Sequence, residues 1–119
     1  MKTSELIDEG LDRAVAMCEG EDSIASCYYA EDGTPLYLDE APLPEWNPSE
    51  TWEQGGPIIE REKIAVTPHH SLHWCAHYQF GQTPGNFKGS YGETPLIAAM
   101  RCYVASKLGD EVEVPEELK

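Results

Sequence analysis

The sequence predicts an α+β fold: a small antiparallel sheet packed with an N-terminal and a C-terminal helix. Apolar residues recur at spacings of three and four in residues 11–18 and again in residues 96–108, the period of a helix with one buried face. They alternate with a period of two in residues 71–80, the pattern of a half-buried strand. Turn signals separate these blocks, and helices at the two ends of the chain are suited to covering strands that lie between them. With 119 residues the chain is expected to form one domain, residues 1–119, around a single modest core.

The first helix is expected to run about ten to twelve residues, with Thr3 or Asp8 as candidate N-caps and Gly20 as its stop. Leu11, Ala14, Val15 and Cys18 form its apolar stripe, and Glu9, Asp12, Arg13 and Glu19 fall on the opposite side. Tyr28, Tyr29, Leu36, Tyr37 and Leu38 flank the turn signal EDGTP, which suggests a hairpin or two short extended segments. Residues 39–54 hold three prolines and five acids and read as an ordered loop anchored by Trp46 and Trp52. Gly55 and Gly56 read as a turn with positive φ before Pro57, and residues 58–66 as a strand with imperfect alternation.

The second strand is better marked. Leu72, Trp74, Ala76, Tyr78 and Phe80 share one parity, and Ser71, His73, Cys75 and His77 share the other. Residues 81–93 contain four glycines and one proline and read as an exposed, mobile loop. Thr94 as N-cap and Pro95 at the first helical position open the last helix, because proline's missing N–H costs nothing there. Leu96, Ile97, Met100, Tyr103, Val104 and Leu108 form its apolar face, and Gly109 is expected to close it as a left-handed cap. Residues 110–119 follow as a short acidic edge strand or tail.

Charge is placed unevenly along this chain. Residues 1–53 sum to −12, residues 54–109 to +2 and residues 110–119 to −4, for a net charge of −14. With only eight lysines and arginines, all scattered, there is no footprint for a phosphate backbone, and direct nucleic-acid binding is disfavoured. Repulsion from anionic lipid argues against a membrane surface. No apolar run approaches the ~20 residues of a membrane-spanning helix. MKTSELIDEG carries acids where a secretory signal has its apolar stretch, so a cytosolic location is expected. Cys18, Cys27, Cys75 and Cys102 lack any CxxC pairing and read as free thiols in a reducing compartment.

His69, His70, His73 and His77 fall within nine residues, with Cys75 among them. On a strand His73, Cys75 and His77 project from one face, an arrangement that offers imidazole and thiolate ligands to Zn²⁺ or another borderline ion, with a fourth ligand needed from elsewhere. The simpler reading is a polar outer face that titrates near neutral pH. Side chains two apart on a strand are parallel rather than convergent, which disfavours Cys75 as a nucleophile. Cys18 and Cys102, on the two helices, read as core or boundary residues. Twenty-two acids make chance pairs common, and Glu60 and Glu62 beside Arg61 and Lys63 read as solvated ion pairs rather than a general acid and base. No phosphate-binding glycine motif is present. The expectation is therefore no enzyme and no cofactor.

The strings TWEQGGPIIEREKI and TPLIAAMRCYVASKLGDEVEVP, with the opening KTSEL and LDRAVA, resemble the NinX-like family of lambdoid phages and their prophages. The resemblance implies a small phage accessory protein, encoded outside the essential structural and replication genes, with an alpha–beta–alpha sandwich-like fold and no assigned catalytic residue. Residues 39–48 and the run PHHSLHWCAHYQFGQTPGNFKG depart from the family's pattern.

Taken with the missing catalytic constellation and the negative charge, the resemblance implies a non-catalytic acidic binding module acting in the host cytoplasm on a host or phage protein. Antagonism of a host defence or regulatory protein is the expected use. Candidate contacts are Trp46 with Asp39, Glu40, Glu45 and Glu50, an aromatic and acidic set. Trp52 is assigned to the core, and for Trp46 a core role stays open as well. One alternative is sequestration of a small host signalling nucleotide, with an oligomer holding it between subunits. Arg61, Lys63, Lys88, Tyr91 and Arg101 would supply phosphate and base contacts. The other alternative is a metal-binding protein built on His73, Cys75 and His77.

Overall fold

The computed structural model describes residues 2–19, 46–70, 73–78 and 89–112. Its axis is the C-terminal helix, α3 (Pro95–Leu108). Thr94 caps it as the sequence predicts: its Oγ1 accepts the Ile97 N–H at 3.1 Å, with Pro95 behind it at the first helical position. At the other end the Gly109 N–H donates to the Ala105 carbonyl at 3.0 Å. Gly109 has φ 86° but ψ −165°, so the helix leaves by an extended, positive-φ turn instead of the compact left-handed cap expected. The buried set is wider than one face. Ala98, Ala99, Cys102 and Ala105 join Leu96, Met100, Tyr103 and Val104, because α3 is packed on several sides.

On one side lies a three-stranded antiparallel sheet in the order β1 (Ile64–His70), β2 (His73–Tyr78), β3 (Ser90–Gly92). The register pairs Ile64 with Tyr78, Val66 with Ala76, Trp74 with Gly92 and Ala76 with Ser90. These residues form the inner face, and Ile64, Ala76 and Tyr78 are buried in the common core. Gly92 allows β3 to lie against α3: a Cβ there would fall 2.6 Å from the Ala98 nitrogen and 2.7 Å from Ile97 Cγ2. The register slips between Pro68 and His70, where proline has no N–H to give to the ladder.

The N-terminal helix, α1 (Asp8–Glu19), packs against α3 through Leu11, Ala14 and Val15, the stripe read from the sequence. It begins at Asp8, which has φ 48°. Thr3 instead opens a short 3-10 turn (Thr3–Glu5) and is tied to the far end of the chain: its N–H donates to the Asp110 carbonyl at 2.7 Å and its Oγ1 to the Gly109 carbonyl at 2.6 Å. Lys2 and Glu111 form an antiparallel bridge there. Asp12 and Arg13, expected to face solvent, are buried at 4% and 5% exposure. Residues 46–50 cover that side of α1: the Trp46 indole N–H donates to the Asp12 carbonyl at 2.8 Å, and the Ser49 N–H to Asp12 Oδ1 at 2.9 Å.

Residues 52–62 form a helix, α2 (Trp52–Glu62), where a loop, a glycine turn and the start of a strand were expected. Gly55, Ile58, Ile59 and Glu62 recur at helical spacing, and Ile58 is 1% exposed. Neither Gly55 nor Gly56 has positive φ. Gly55 serves close approach instead, since a Cβ on it would collide with the Pro48 carbonyl oxygen and come within 2.6 Å of Leu96 Cδ2. Pro57 costs α2 one backbone hydrogen bond at an exposed position. Lys63 ends the helix in the left-handed region, at φ 58° and ψ 46°, and β1 starts one residue later. Trp52, assigned to the core, is 58% exposed. Within the expected loop of residues 81–93, Ser90–Gly92 is strand β3. The expected hairpin around residues 28–38, residues 81–88 of that loop and residues 113–119 lie outside the described residues.

Candidate functional site

Because residues 2–3 are bonded to residues 109–111, the acids beside them, Glu5, Asp8, Asp110 and Glu111, share one region. A groove of about 1340 Å³ opens there. One wall is the N-terminal segment with Ser4, Ile7 and Asp8, another is β3 with Tyr91 and Gly92, the floor is the Ile97–Arg101–Ala105 side of α3, and residues 109–111 close one end. Ile7, 53% exposed, is a large apolar surface open to solvent beside the half-buried Ile97, and Tyr91, 45% exposed, borders the groove from β3. Asp8, Glu93, Asp110 and Glu111, all exposed, stand around them. Among the described residues Lys2 and Arg101 are the cations of the lining.

Arg101 holds the walls together. Its Nε donates to the Leu6 carbonyl at 2.9 Å and one terminal nitrogen to the Tyr91 carbonyl at 2.8 Å. Burial lowers its pKa from the ordinary arginine value, against the field of nearby Glu93, which raises it. It nevertheless stays charged, and its donors are directed at backbone.

Arg61 belongs to a separate cluster. It pairs bidentately with Glu19 at 3.2 and 2.7 Å, donates to the Tyr103 hydroxyl at 3.2 Å, and reaches Glu62 at 3.2 Å. Tyr103 donates to Glu19 at 2.8 Å, and Tyr78 joins Glu62 at 3.2 Å and Ser106 at 2.9 Å. Burial, with its hydrogen bond to Glu19 and the Glu19 charge next, raises the Tyr103 pKa, and the separate Arg61–Glu19 hydrogen bond is the first cause that raises that of Arg61. The cluster joins the C-terminal ends of α1 and α2 to β2 and α3. Tyr103 and Arg101 are two residues, and so about 200°, apart on α3, which separates Arg61 from the groove. Of the candidate nucleotide contacts, Tyr91 and Arg101 are brought together at the groove. Arg61 is engaged by carboxylates, Lys63 is the exposed cap of α2, and Lys88 lies outside the described residues.

The outer face of the sheet carries Ala65, Thr67 and His69 from β1, His73, Cys75 and His77 from β2, and Tyr91 from β3, with Thr67, Cys75 and Tyr91 in register across the strands. The His69 and Tyr91 rings meet edge to face, with centroids 4.9 Å apart. The same-face placement of His73, Cys75 and His77 follows the sequence pattern, but among the described residues no three His, Cys, Asp or Glu side chains are grouped closely enough to hold a metal ion. Burial pushes the Cys18 and Cys102 thiols up to about 12, which keeps both protonated and unreactive.

Of the candidate partner contacts, Trp46 packs against the core and Glu50 is exposed on the turn beside it, while Asp39, Glu40 and Glu45 lie outside the described residues. Sequence reasoning missed Ile7, Glu93, Asp110 and Glu111. The acidic C-terminal run is the signal for Asp110 and Glu111, whereas no local pattern marks Ile7 or Glu93.

A family model described as Bacteriophage P22, NinX matches residues 2–107. No curated protein matches the chain. Among the described residues no helix is long and apolar enough to cross a membrane.

Proposed function

The chain belongs to the NinX family of bacteriophage proteins, a phage accessory protein, and on that premise we propose that it is a non-catalytic acidic binding module which docks on a basic surface of a host protein in the cytoplasm of the infected cell and antagonises its defence or regulatory activity. The observation that carries this reading is the convergence of the described acids near residues 2–9 and 110–111 on one region. Glu5, Asp8 and Glu9 come from the N-terminal end and Asp110 and Glu111 from the C-terminal end, all exposed and held together by the Thr3 bonds and the Lys2–Glu111 bridge. Like charges collected in this way raise the local potential, attract a basic partner over about a Debye length and fix its orientation on arrival.

Capture of partners from infected cells at low salt, with the tagged chain at native expression, tests the proposal. The expected result is a host protein with a basic surface, retained by the wild-type chain and lost when Glu5, Asp8, Glu9, Asp110 and Glu111 are changed to their amides. Recovery of no partner, or of one retained equally by the neutralised chain, contradicts it.

A further inference from the structure

We infer that the groove between the N-terminal segment, β3 and α3 is the docking site itself, and that its occupant is an extended, lysine- or arginine-rich segment of a partner protein carrying an apolar side chain. The inference rests on the acidic-module reading and adds to it a place and an occupant.

Size, charge and shape decide between occupants. At about 1340 Å³ the groove exceeds the roughly 300–1,000 Å³ of sites that enclose small ligands, so it suits a stretch of peptide better than a nucleotide. Among the described residues four carboxylates line it against two cations, and Arg101 already gives two of its donors to the Leu6 and Tyr91 carbonyls. A phosphate would meet net repulsion there, and an ammonium or guanidinium would meet attraction. Ile7 stands open on one wall beside the half-buried Ile97, so an inserted apolar side chain removes both from water, at about 25 cal/mol per Å² buried, while Tyr91 lines the other wall through its backbone and turns its ring to the outer face of the sheet. The carboxylates at the edge then pair with flanking cations, the arrangement of an apolar anchor inside a polar rim. At Gly109, where a Cβ would meet nothing within 4 Å, the lining is without a side chain, which gives a peptide backbone room to approach.

The test is a titration of the isotope-labelled full chain with an acetylated lysine-rich peptide carrying a central leucine, followed by amide chemical shifts at low salt. Shifts are expected to cluster at Ser4, Ile7, Tyr91, Gly92, Ile97 and Asp110. Ile7→Ser, at an exposed position that the fold tolerates, should weaken binding about tenfold. So should the pair Asp110→Asn and Glu111→Gln, whereas Glu53→Gln with Glu60→Gln removes the same charge elsewhere and should leave affinity within about twofold.

Shifts centred on Glu50, Glu53 and Glu60, or equal losses in both charge pairs, overturn the groove and leave the acidic-module reading standing. Absence of any shift removes both. Equal shifts with the glutamate version of the peptide, or with an adenine nucleotide, reject a basic occupant. Concentration-dependent shifts at the same amides without peptide assign the groove to a second copy of the chain instead.

Discussion

Asp12 is the residue at which burial and charge conflict most directly. It is 4% exposed and accepts the Ser49 N–H, and its pKa is raised from 3.8 to about 6, chiefly by burial, with the Ser49 hydrogen bonding opposing and nearby Glu50 and Asp8 adding. The folded chain therefore holds this proton more tightly than the unfolded chain does. Stability from this group rises as pH falls from above 6 to below 3.8, and above 6 the full cost of the buried charge, about 3 kcal/mol at most, is present. Asp12→Asn keeps an acceptor for the Ser49 N–H and removes the charge. It is expected to stabilise the fold by about 1–3 kcal/mol near pH 8 and to lose that advantage near pH 4, as read by urea denaturation at the two values. The sequence placed Asp12 on the solvent side of α1 because it lies opposite the Leu11–Cys18 stripe. What covers it, Trp46 and Ser49, lies more than thirty residues away, and no local period contains that information. Cys102 was legible because an apolar helix position and a buried thiol are the same observation.

At the scale of the element, α3 was readable from its ends and α2 was not. Thr94, Pro95 and Gly109 mark a start and a stop that local chemistry enforces, so Thr94→Ala, which deletes the bond to the Ile97 N–H, should cost about 1 kcal/mol in thermal or chemical unfolding. In α2 the local signals point the other way: two glycines and a proline in one run argue for a turn, and helix formation there depends on burying Ile58 and on seating Gly55 against Pro48 and Leu96. The neighbouring glycines then have opposite sensitivities. Gly55→Ala should destabilise by about 1–3 kcal/mol through overpacking. At Gly56 a Cβ would meet nothing nearer than Trp52 Cε3 at 3.8 Å, and Gly56→Ala should stabilise the helix by about 0.5–1 kcal/mol. Paired unfolding curves check both, and a cost at Gly56 equal to that at Gly55 would contradict the packing described. The strand β2 was legible from alternation alone, whereas β3, three residues inside a glycine-rich run, has no pattern long enough to read.

For the molecule as a whole, charge was visible in the sequence and its location was not. Among the described residues Glu5, Asp8, Glu9, Asp110 and Glu111 come to share one surface because Thr3, Gly109 and Asp110 are hydrogen-bonded and Lys2 bridges to Glu111, contacts between residues more than a hundred positions apart. The partner set first drawn around Trp46 followed composition. The groove follows topology, with Ile7 exposed on its wall and carboxylates at its edge. The central claim is that recognition is electrostatic and belongs to that joined acidic surface. Its most direct test is the affinity of the chain for its captured partner at about 0.05 M and about 0.5 M salt, across which the screening length falls severalfold. The account predicts binding at least ten times weaker, by about 1.4 kcal/mol or more, at the higher salt. An affinity unchanged between the two would contradict it.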